Sequence, residues 1–417
     1  MRFSAAFLAA VACSATAAPV DPVHSLAQKE KPAVVDTLRQ LVEIESGSRD
    51  REGLDRIAGV VADRLTALGG KVEFVEAGAD SVKLFDTPEK IGKAVVARFE
   101  GTGRRNVMLL AHMDTVYARG TLAKRPFRVQ GNRAYGPGVA DDKGGVAVVL
   151  HTLAMLKNMG FRNYRTLTVV VNGDEEVSTP GARNLITRIA AEHDYVFSCE
   201  ATPAPKDELA LATSGIGAAT IVVRGKAAHA GVNPEDGRNA LLELAHQILA
   251  TRDLGDPAKG VKFNWTIAHA GTVRNAIPDT ATANADVRVR HIADYDAIEK
   301  AFREGVAKSR LIPDTKVEAS FERRRPPLEV NGRSRALLKR AQAIYAELGK
   351  QLGVDDSGKG GGTDAAFAAL SGKPAVAENF GLMGYGYHTP EEEYVELDSI
   401  VPRLYLLTRL IEEVGKD

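Results

Sequence analysis

The sequence predicts a two-domain α/β protein, in which a mostly parallel sheet packed with helices is interrupted by a small inserted α+β domain. Segments typical of strands and helices alternate from about residue 94 to residue 199. Over 214–326 the order becomes β-α-β-β-α-β, which is typical of a ferredoxin-like sandwich. After Pro326-Pro327 the first pattern resumes, so we expect the ferredoxin-like unit to be an insertion.

Most elements of the first domain are predicted from apolar spacing. Apolar residues recur at helical spacing over 32–44 and 53–68, which predicts two helices. The nearly continuous apolar run over 106–111 is typical of a strand covered on both faces. Further strands are predicted over 72–75, 94–99, 166–171 and 195–199, and further helices over 144–159, 181–192 and 335–348.

The inserted domain carries its own set of elements. Strands are predicted over 218–223, 262–268, 280–289 and 316–321, with helices over 238–251 and 295–309. The domain boundaries are therefore predicted as 19–213 and 327–417 for the first domain and 214–326 for the insert.

The N-terminus predicts an exported protein. Arg2 precedes a short apolar run over 3–12, and small residues follow at Ala15 and Ala17. This is the pattern of a secretory signal peptide, which we assign to residues 1–18. We therefore expect a periplasmic or secreted location.

Composition excludes two classes of partner. The 54 basic and 54 acidic residues balance, so the chain lacks the basic field of a nucleic-acid-binding module. No apolar run reaches the length of a bilayer span, so no membrane partner is expected.

Polar residues collect where the predicted strands of the first domain end. In chain order they are His112, Asp114, Asp141, Asp142, Asp174, Glu175, Glu176, Glu200 and His388. The carboxyl ends of parallel strands form one edge of a sheet, where ligands bind in open α/β folds. We therefore expect these side chains to lie close together.

Taken singly, each of these residues has an ordinary structural explanation. Asp141 and Asp142 suit the first turn of a helix, and Glu175 and Glu176 suit a solvated loop. Their convergence on one edge favours a metal centre, because buried neighbouring carboxylates are costly unless a cation compensates them.

The expected chemistry is that of two divalent cations. Such a pair, about 3.5–4 Å apart, takes a bridging carboxylate and a bridging water. Three carboxylates and one hydroxide balance the four positive charges while two imidazoles stay neutral. A mixed nitrogen and oxygen ligand set suits zinc, with cobalt or manganese as substitutes. One acid of 174–176 then remains available as a general base.

Five segments of the chain resemble the signatures of a known family. LLAHMDTVYARG, AYGPGVADDKGGVAV, VNGDEEVSTPGAR, GKAAHAGVNPEDGRNAL and GGGTDAAFA occur in the order and spacing of the M20 zinc metallopeptidases. The chain is most similar to bacterial glutamate carboxypeptidases of the carboxypeptidase G type, from about Pro32 onwards.

This resemblance implies a two-zinc site in each subunit. Asp141 would bridge the two ions, with His112 and Glu200 completing one site and Glu176 and His388 the other.

The resemblance also assigns roles around that site. Glu175 would be the general base, and Asp114 would orient the imidazole of His112. Asp142 would help to set an unusual peptide bond after Asp141.

For substrate binding, the resemblance implies a homodimer that pairs through the insert. His229 would reach across the dimer interface to stabilise an oxyanion. The substrate's terminal carboxylate would contact Asn275, Arg288 and the loop residues Gly361, Gly362 and Thr363. Without the family, His229 is an ordinary loop residue and the glycine loop a plain turn.

Several cations near the expected site leave the side-chain selectivity open. Glu208 stands where glutamate-specific relatives carry Lys, with Lys206 and Lys359 as other nearby cations. The run Arg323-Arg324-Arg325 either supplies a cation for a substrate carboxylate or is solvated.

The expected function is hydrolysis of the amide bond to a C-terminal amino acid, with glutamate preferred and folate-like acyl-glutamates or peptides as substrates. An aminoacylase or dipeptidase on the same scaffold is the nearest alternative. A non-catalytic exported binding protein is the other, and the presence of every ligand and of Glu175 opposes it.

Overall fold

The computed structural model describes residues 18–417. The helices in this range are α1 (Asp21–Val42), α2 (Arg51–Ala67), α3 (Thr121–Lys124), α4 (Lys143–Asn158), α5 (Arg183–Ala190), α6 (Ala240–Thr251), α7 (Ile292–Ala307), α8 (Gly332–Glu347), α9 (Ala365–Ala369) and α10 (Ile400–Val414). The predicted signal peptide lies outside the described residues except for Ala18, so export stays a prediction.

The strands in the same range reach at most seven residues in the first domain, whereas the four strands of the main sheet of the insert have nine or ten residues each. They are β1 (Lys71–Val75), β2 (Ala94–Glu100), β3 (Asn106–His112), β4 (Arg128–Gln130), β5 (Arg133–Tyr135), β6 (Thr166–Asn172), β7 (Tyr195–Ser198), β8 (Thr202–Pro203), β9 (Glu208–Ala210), β10 (Gly215–Arg224), β11 (Ala228–His229), β12 (Lys262–Ala270), β13 (Ala276–Ile277), β14 (Thr280–Val289), β15 (Lys316–Arg325), β16 (Gly353–Asp355), β17 (Ala375–Ala377), β18 (Met383–Tyr385) and β19 (Tyr394–Glu396).

The main sheet has the order β1-β2-β6-β3-β7-β17. The pairings β6–β3, β3–β7 and β7–β17 are parallel, whereas β1–β2 and β2–β6 are antiparallel. Helices α1, α4 and α10 pack on one another against one face, and α5 and α9 cover the other. The parallel strands therefore share one carboxyl edge, as the sequence predicts.

The insert contains a separate four-stranded antiparallel sheet in the order β12-β14-β10-β15. Its own apolar core includes Leu244 of α6 and Phe302 of α7. This order and the two helices form the ferredoxin-like arrangement. The last strand continues to Arg325, beyond its predicted end at residue 321.

The first helix begins well before residue 32, where the sequence predicts its start. It starts at Asp21 and passes through Pro32. Pro22 occupies the first turn, where a missing N–H costs nothing. Pro32 is tolerated because the preceding turns bury Val23 and Ala27 in the main core, and this packing offsets the lost hydrogen bond.

Two features were not predicted. The C-terminal helix α10 buries most of its length between α1, α4 and α8. A five-stranded sheet, in the order β4-β5-β19-β18-β8, has strands of two or three residues, too short for an apolar period to be visible. Among residues 18–417, no helix combines the length and apolarity needed to cross a membrane.

Candidate metal centre

The predicted metal ligands meet at the carboxyl edge of the main sheet. His112 is the last residue of β3, and Glu200 follows β7. Glu176 lies in a short 3₁₀ turn after β6, and Asp141 precedes α4. His388 comes from the loop between β18 and β19, with a positive φ of 63°. Separate segments thus deliver all five side chains to one place.

Asp141 lies between the two histidines. Its Oδ1 is 3.0 Å from Nε2 of His112, and its Oδ2 is 3.2 Å from Nε2 of His388. His112 Nε2 is also 3.2 Å from Glu200 Oε1, and His388 Nε2 is 3.2 Å from Glu176 Oε2. The two oxygens of one carboxylate therefore face two separate groups of ligand atoms.

Asp142 also lies within 4.8 Å of the donor atoms of His112 and Glu200. Its oxygens, however, accept hydrogen bonds from the backbone N–H groups of His112 (3.3 Å) and Gly145 (3.1 Å). This carboxylate therefore caps α4, and Asp141 is the better-placed ligand. The peptide bond that joins Asp141 to Asp142 is cis.

Asp114 is fully buried and connects the two halves of the site. Its Oδ1 lies 3.3 Å from Nδ1 of His112, which places Nε2 towards Asp141. Its two oxygens accept the backbone N–H groups of Glu175 (3.0 Å) and Glu176 (3.1 Å). Asp114 thus orients a candidate ligand and also holds the turn that carries Glu175 and Glu176.

Three neighbouring acids follow β6, and they point in different directions. Asp174 accepts hydrogen bonds from the backbone N–H groups of Gly181 (2.6 Å) and Ala182 (3.1 Å). It therefore stabilises the local fold before α5 and does not face the candidate ligands. The side chain of Glu176 points to His388, and that of Glu175 points to Arg325 of the insert.

The burial of several neighbouring acids favours a cation at this site. Burial raises the pKa of Glu176 to about 8 and that of Glu175 to about 7. Burial also raises the pKa of Asp141, but hydrogen bonds from His112 and His388 outweigh it and hold this pKa well below its usual range. Without a cation these groups must share protons, which divalent metal would replace.

The donor set fits a metal pair. Glu176 Oε1 is buried and has no hydrogen-bond partner among residues 18–417, so it is free to bind a cation. Imidazole nitrogens and carboxylate oxygens in two groups match the preferences of zinc.

Arg325 is the main site residue whose position the sequence left open. Its side chain is 2% exposed, and its Nη1 contacts Glu175 Oε1. Its Nη2 donates to the backbone oxygen of Glu175 (2.8 Å) and to Oγ1 of Thr179 (3.1 Å). Of the three neighbouring arginines, Arg323 is exposed and pairs with acids of α7, whereas Arg324 is buried. The extended strand β15 carries the last two into the site.

Two cavities open onto the metal cluster. One, of about 430 Å³, is lined by Glu175, Glu176, His388, Arg288, Arg324 and Arg325 among others. The second, of about 440 Å³, is lined by Asp141, Glu200, His388, Lys359, Thr363 and Tyr387 among others. The predicted loop residues Gly361 and Gly362 line both cavities.

Three of the predicted substrate-binding residues have protein partners of their own. Arg288 makes two hydrogen bonds to Asp286, of 2.8 and 2.9 Å, on the cavity wall. Thr363 Oγ1 donates to Glu378 Oε2 at 2.6 Å. A Cβ at Gly362 would lie 2.6 Å from the backbone oxygen of Ser214, so this glycine is required by packing as well.

His229 and Asn275 lie on an exposed part of the insert. His229 lies in β11, which pairs with β13 directly after Asn275, and Ala230 N–H donates to the backbone oxygen of Asn275 at 2.9 Å. Within the described chain, neither residue lines the two cavities at the cluster. His229 Nδ1 accepts the N–H groups of Gly231 and Val232, both at 3.1 Å, so the neutral ring carries its proton on Nε2.

Comparison with known proteins places this geometry in context. The sequence pattern of the peptidase family M20/M25/M40 matches residues 108–413. The chain is 46% identical to carboxypeptidase G2 of a Pseudomonas species over 389 residues, 93% of this chain and 91% of that protein. It is 27% identical to succinyl-diaminopimelate desuccinylase of Maricaulis maris over 335 residues, 76% and 83% of the two chains.

Solved structures share the fold at low sequence identity. An M20 family metallo-carboxypeptidase from Sulfolobus solfataricus superimposes with a TM-score of 0.71 at 15% identity, over 92% of this chain and 99% of that one. A tripeptidase from Staphylococcus aureus superimposes with a TM-score of 0.73 at 20% identity, over 93% and 99%.

Proposed function

The chain belongs to the peptidase family M20/M25/M40, and on that basis we propose a di-zinc carboxypeptidase that releases a C-terminal amino acid, with glutamate preferred. One observation carries the proposal: the two oxygens of Asp141 face His112 and His388 at 3.0 and 3.2 Å. A carboxylate shared in this way is what a metal pair requires. The relation to carboxypeptidase G2 supports the amide-hydrolysing activity.

His112 and Glu200 would hold one zinc ion, and Glu176 and His388 the other. Bound there, the ions would supply Lewis-acid polarisation of the substrate carbonyl and a water that is acidic near neutral pH.

Glu175 is the residue that moves the proton. It is not among the ligand groups, and burial raises its pKa to about 7, which suits a general base working near neutral pH. It would accept a proton from the attacking water and deliver it to the departing amine. Asp114 holds its backbone N–H during both steps.

Recognition of the substrate's carboxylates is assigned to the two cavities. Arg288 and Arg324 line the first and are placed for the terminal carboxylate. Lys359 lines the second, beside Glu200 and His388. Glu208 lines neither cavity. We assign the cation for a glutamate side chain to Lys359.

The assignment of Lys359 has a matched control. Lys359→Ala should raise KM for acyl-glutamate by about tenfold, the size of one charge-assisted contact, while KM for acyl-leucine stays unchanged. Lys206→Ala removes a neighbouring cation outside the cavities and should leave both values alone. Equal effects of the two substitutions would contradict the assignment.

We propose a homodimer in which His229 serves the partner's site. Exposed apolar residues of the insert support an interface there: Leu241, Leu242 and Leu249 on α6, Ile267 on the edge strand β12, and Val232 and Val273 in loops. The proton on His229 Nε2 would donate to the oxyanion.

Mixed dimers test this sharing. His229→Ala and Glu175→Gln subunits should each be inactive alone. Random mixing should restore about a quarter of wild-type activity, because half of the dimers contain one complete site out of two. No recovery in a mixture that demonstrably contains mixed dimers would contradict action across the interface.

A substrate panel tests the proposed reaction as a whole. We expect the purified, zinc-loaded protein to hydrolyse acyl-glutamate faster than acyl-leucine or an unblocked dipeptide. Preference for acyl-leucine would favour an aminoacylase, and preference for the dipeptide a dipeptidase. No hydrolysis of any of them would favour a binding protein.

A further inference from the structure

Glu393 is a buried carboxylate that gathers four hydrogen bonds next to the metal centre. Its side chain is 1% exposed. Its Oε1 accepts the backbone N–H groups of Ala140 (2.9 Å) and Asp141 (3.1 Å). Its Oε2 accepts the N–H of Gly138 (3.0 Å) and the hydroxyl of Tyr117 (2.5 Å).

Three of these four partners are backbone N–H groups, which can only donate. Both oxygens of Glu393 are therefore needed as acceptors, Oε1 for Ala140 and Asp141 and Oε2 for Gly138. A glutamine of the same shape would turn its NH₂ group towards at least one of these N–H groups, and every bond from a backbone N–H on that side would be lost.

The hydrogen bonds that Glu393 accepts hold the segment 138–141, which ends at Asp141, the ligand proposed to be shared by both ions. The N–H groups of Gly138, Ala140 and Asp141 bond to this side chain and not to a helix or strand. The backbone position of Asp141 therefore depends on Glu393.

That position must be accurate, because Asp141 has to face two histidines at once. Its oxygens lie 3.0 Å from His112 and 3.2 Å from His388, so a shift towards one lengthens the distance to the other. A ligand that serves two ions needs firm support from its surroundings.

We propose that Glu393 is a positioning residue for the metal centre, which it supports by holding segment 138–141 so that Asp141 can bind both ions. The inference rests on the two-metal centre proposed above and extends it to a residue that touches neither ion. Tyr117 contributes the fourth bond, from the wall of a cavity of about 620 Å³ that also contains Glu176.

The test compares two buried glutamates. Glu393→Gln should weaken zinc binding by about 10–100-fold, the usual cost of losing the support of a ligand, as measured by competition with a chromogenic chelator. Glu243→Gln is the control, because Glu243 is equally buried and also accepts backbone N–H groups. Its partners, Leu311 and Ile312, belong to the insert and not to the segment that carries Asp141. Glu243→Gln should lower the melting temperature and leave zinc affinity unchanged.

A second readout separates positioning from general destabilisation. The kcat of Glu393→Gln should recover as free zinc is raised, measured at a temperature at which circular dichroism shows the zinc-free variant to be fully folded, so that recovery reports zinc binding and not refolding. Tyr117→Phe removes one donor of the four and should weaken zinc binding in the same direction by a smaller factor. It keeps the inference testable if Glu393→Gln does not fold.

The outcomes are distinct. Wild-type zinc affinity in Glu393→Gln would overturn the inference, as would an equal loss in Glu243→Gln. If Glu393→Gln does not fold, unchanged affinity in Tyr117→Phe would overturn it as well. If the wild-type protein itself binds no stoichiometric metal, the proposed function fails instead.

Discussion

Replacing Glu175 by Gln tests the assignment of the general base. Glutamine keeps the volume of the side chain, and its amide oxygen can still face Arg325. What it loses is the ability to accept a proton. A positioned general base contributes about 10²–10⁴-fold to the rate, which corresponds to roughly 3–5 kcal/mol of the activation barrier. We expect kcat to fall by that factor.

The structure predicts that metal binding survives this change. Glu175 belongs to neither group of ligand atoms, so zinc content should stay at the wild-type value. The fold should survive as well, because Arg325 keeps Asp364 at 3.4 Å and the backbone oxygen of Glu175 at 2.8 Å.

The assay combines steady-state kinetics on an acyl-glutamate with elemental analysis of the same preparation. Asp174→Asn is the control, since Asp174 is a neighbouring buried acid whose pKa is also raised to about 7, by burial. Asp174 accepts hydrogen bonds from backbone N–H groups. Asp174→Asn should therefore lower the stability of the fold and leave kcat unchanged. Near-wild-type turnover in Glu175→Gln, or loss of its zinc, would refute the reasoning.

Further outcomes follow from the same contacts. Because Glu175 must be ionised to accept a proton and its pKa is raised to about 7, kcat/KM should fall as pH drops below about 7; a flat profile down to pH 5 would contradict this. Arg325→Ala leaves Glu175 buried without its cation and should cost about 3–5 kcal/mol in urea unfolding; an unchanged midpoint would count against the pair. Gly362→Ala forces a Cβ to 2.6 Å from Ser214 and should cost about 1–3 kcal/mol, whereas Gly361→Ala meets open space and should cost less; equal costs would contradict the packing argument.

The sequence predicted that the candidate ligands lie together, because most of them stand next to a recognisable strand or helix. His112 and Glu200 come directly after apolar strands, so topology alone places them at one edge. The family resemblance then separated Asp141 from Asp142. The structure supports that separation, because Asp142 is used by the start of α4.

Other parts of the site give no such signal. Glu393 is one acid in a loop, and nothing in its neighbours shows that it reaches back to segment 138–141. The direction of Arg325 depends on where β15 ends, and an apolar pattern does not define the end of a strand whose last residues are arginines. Long-range contacts of this kind follow from the assembled fold and not from local periodicity.

The early start of α1 has a similar explanation. Pro22 and Pro32 argue locally against a helix, but burial of Val23 and Ala27 against the main core outweighs that preference. His229 and Asn275 line neither of the two cavities at the cluster, so the roles predicted for them depend on the proposed dimer.

The most direct measurement is the metal content of purified protein, combined with its activity before and after chelation. The geometry at Asp141 predicts two zinc equivalents per chain, loss of hydrolysis when a strong chelator removes them, and recovery when zinc is restored. A preparation that cleaves its substrate at full rate with no stoichiometric metal, or that ignores the chelator, would contradict the two-metal centre.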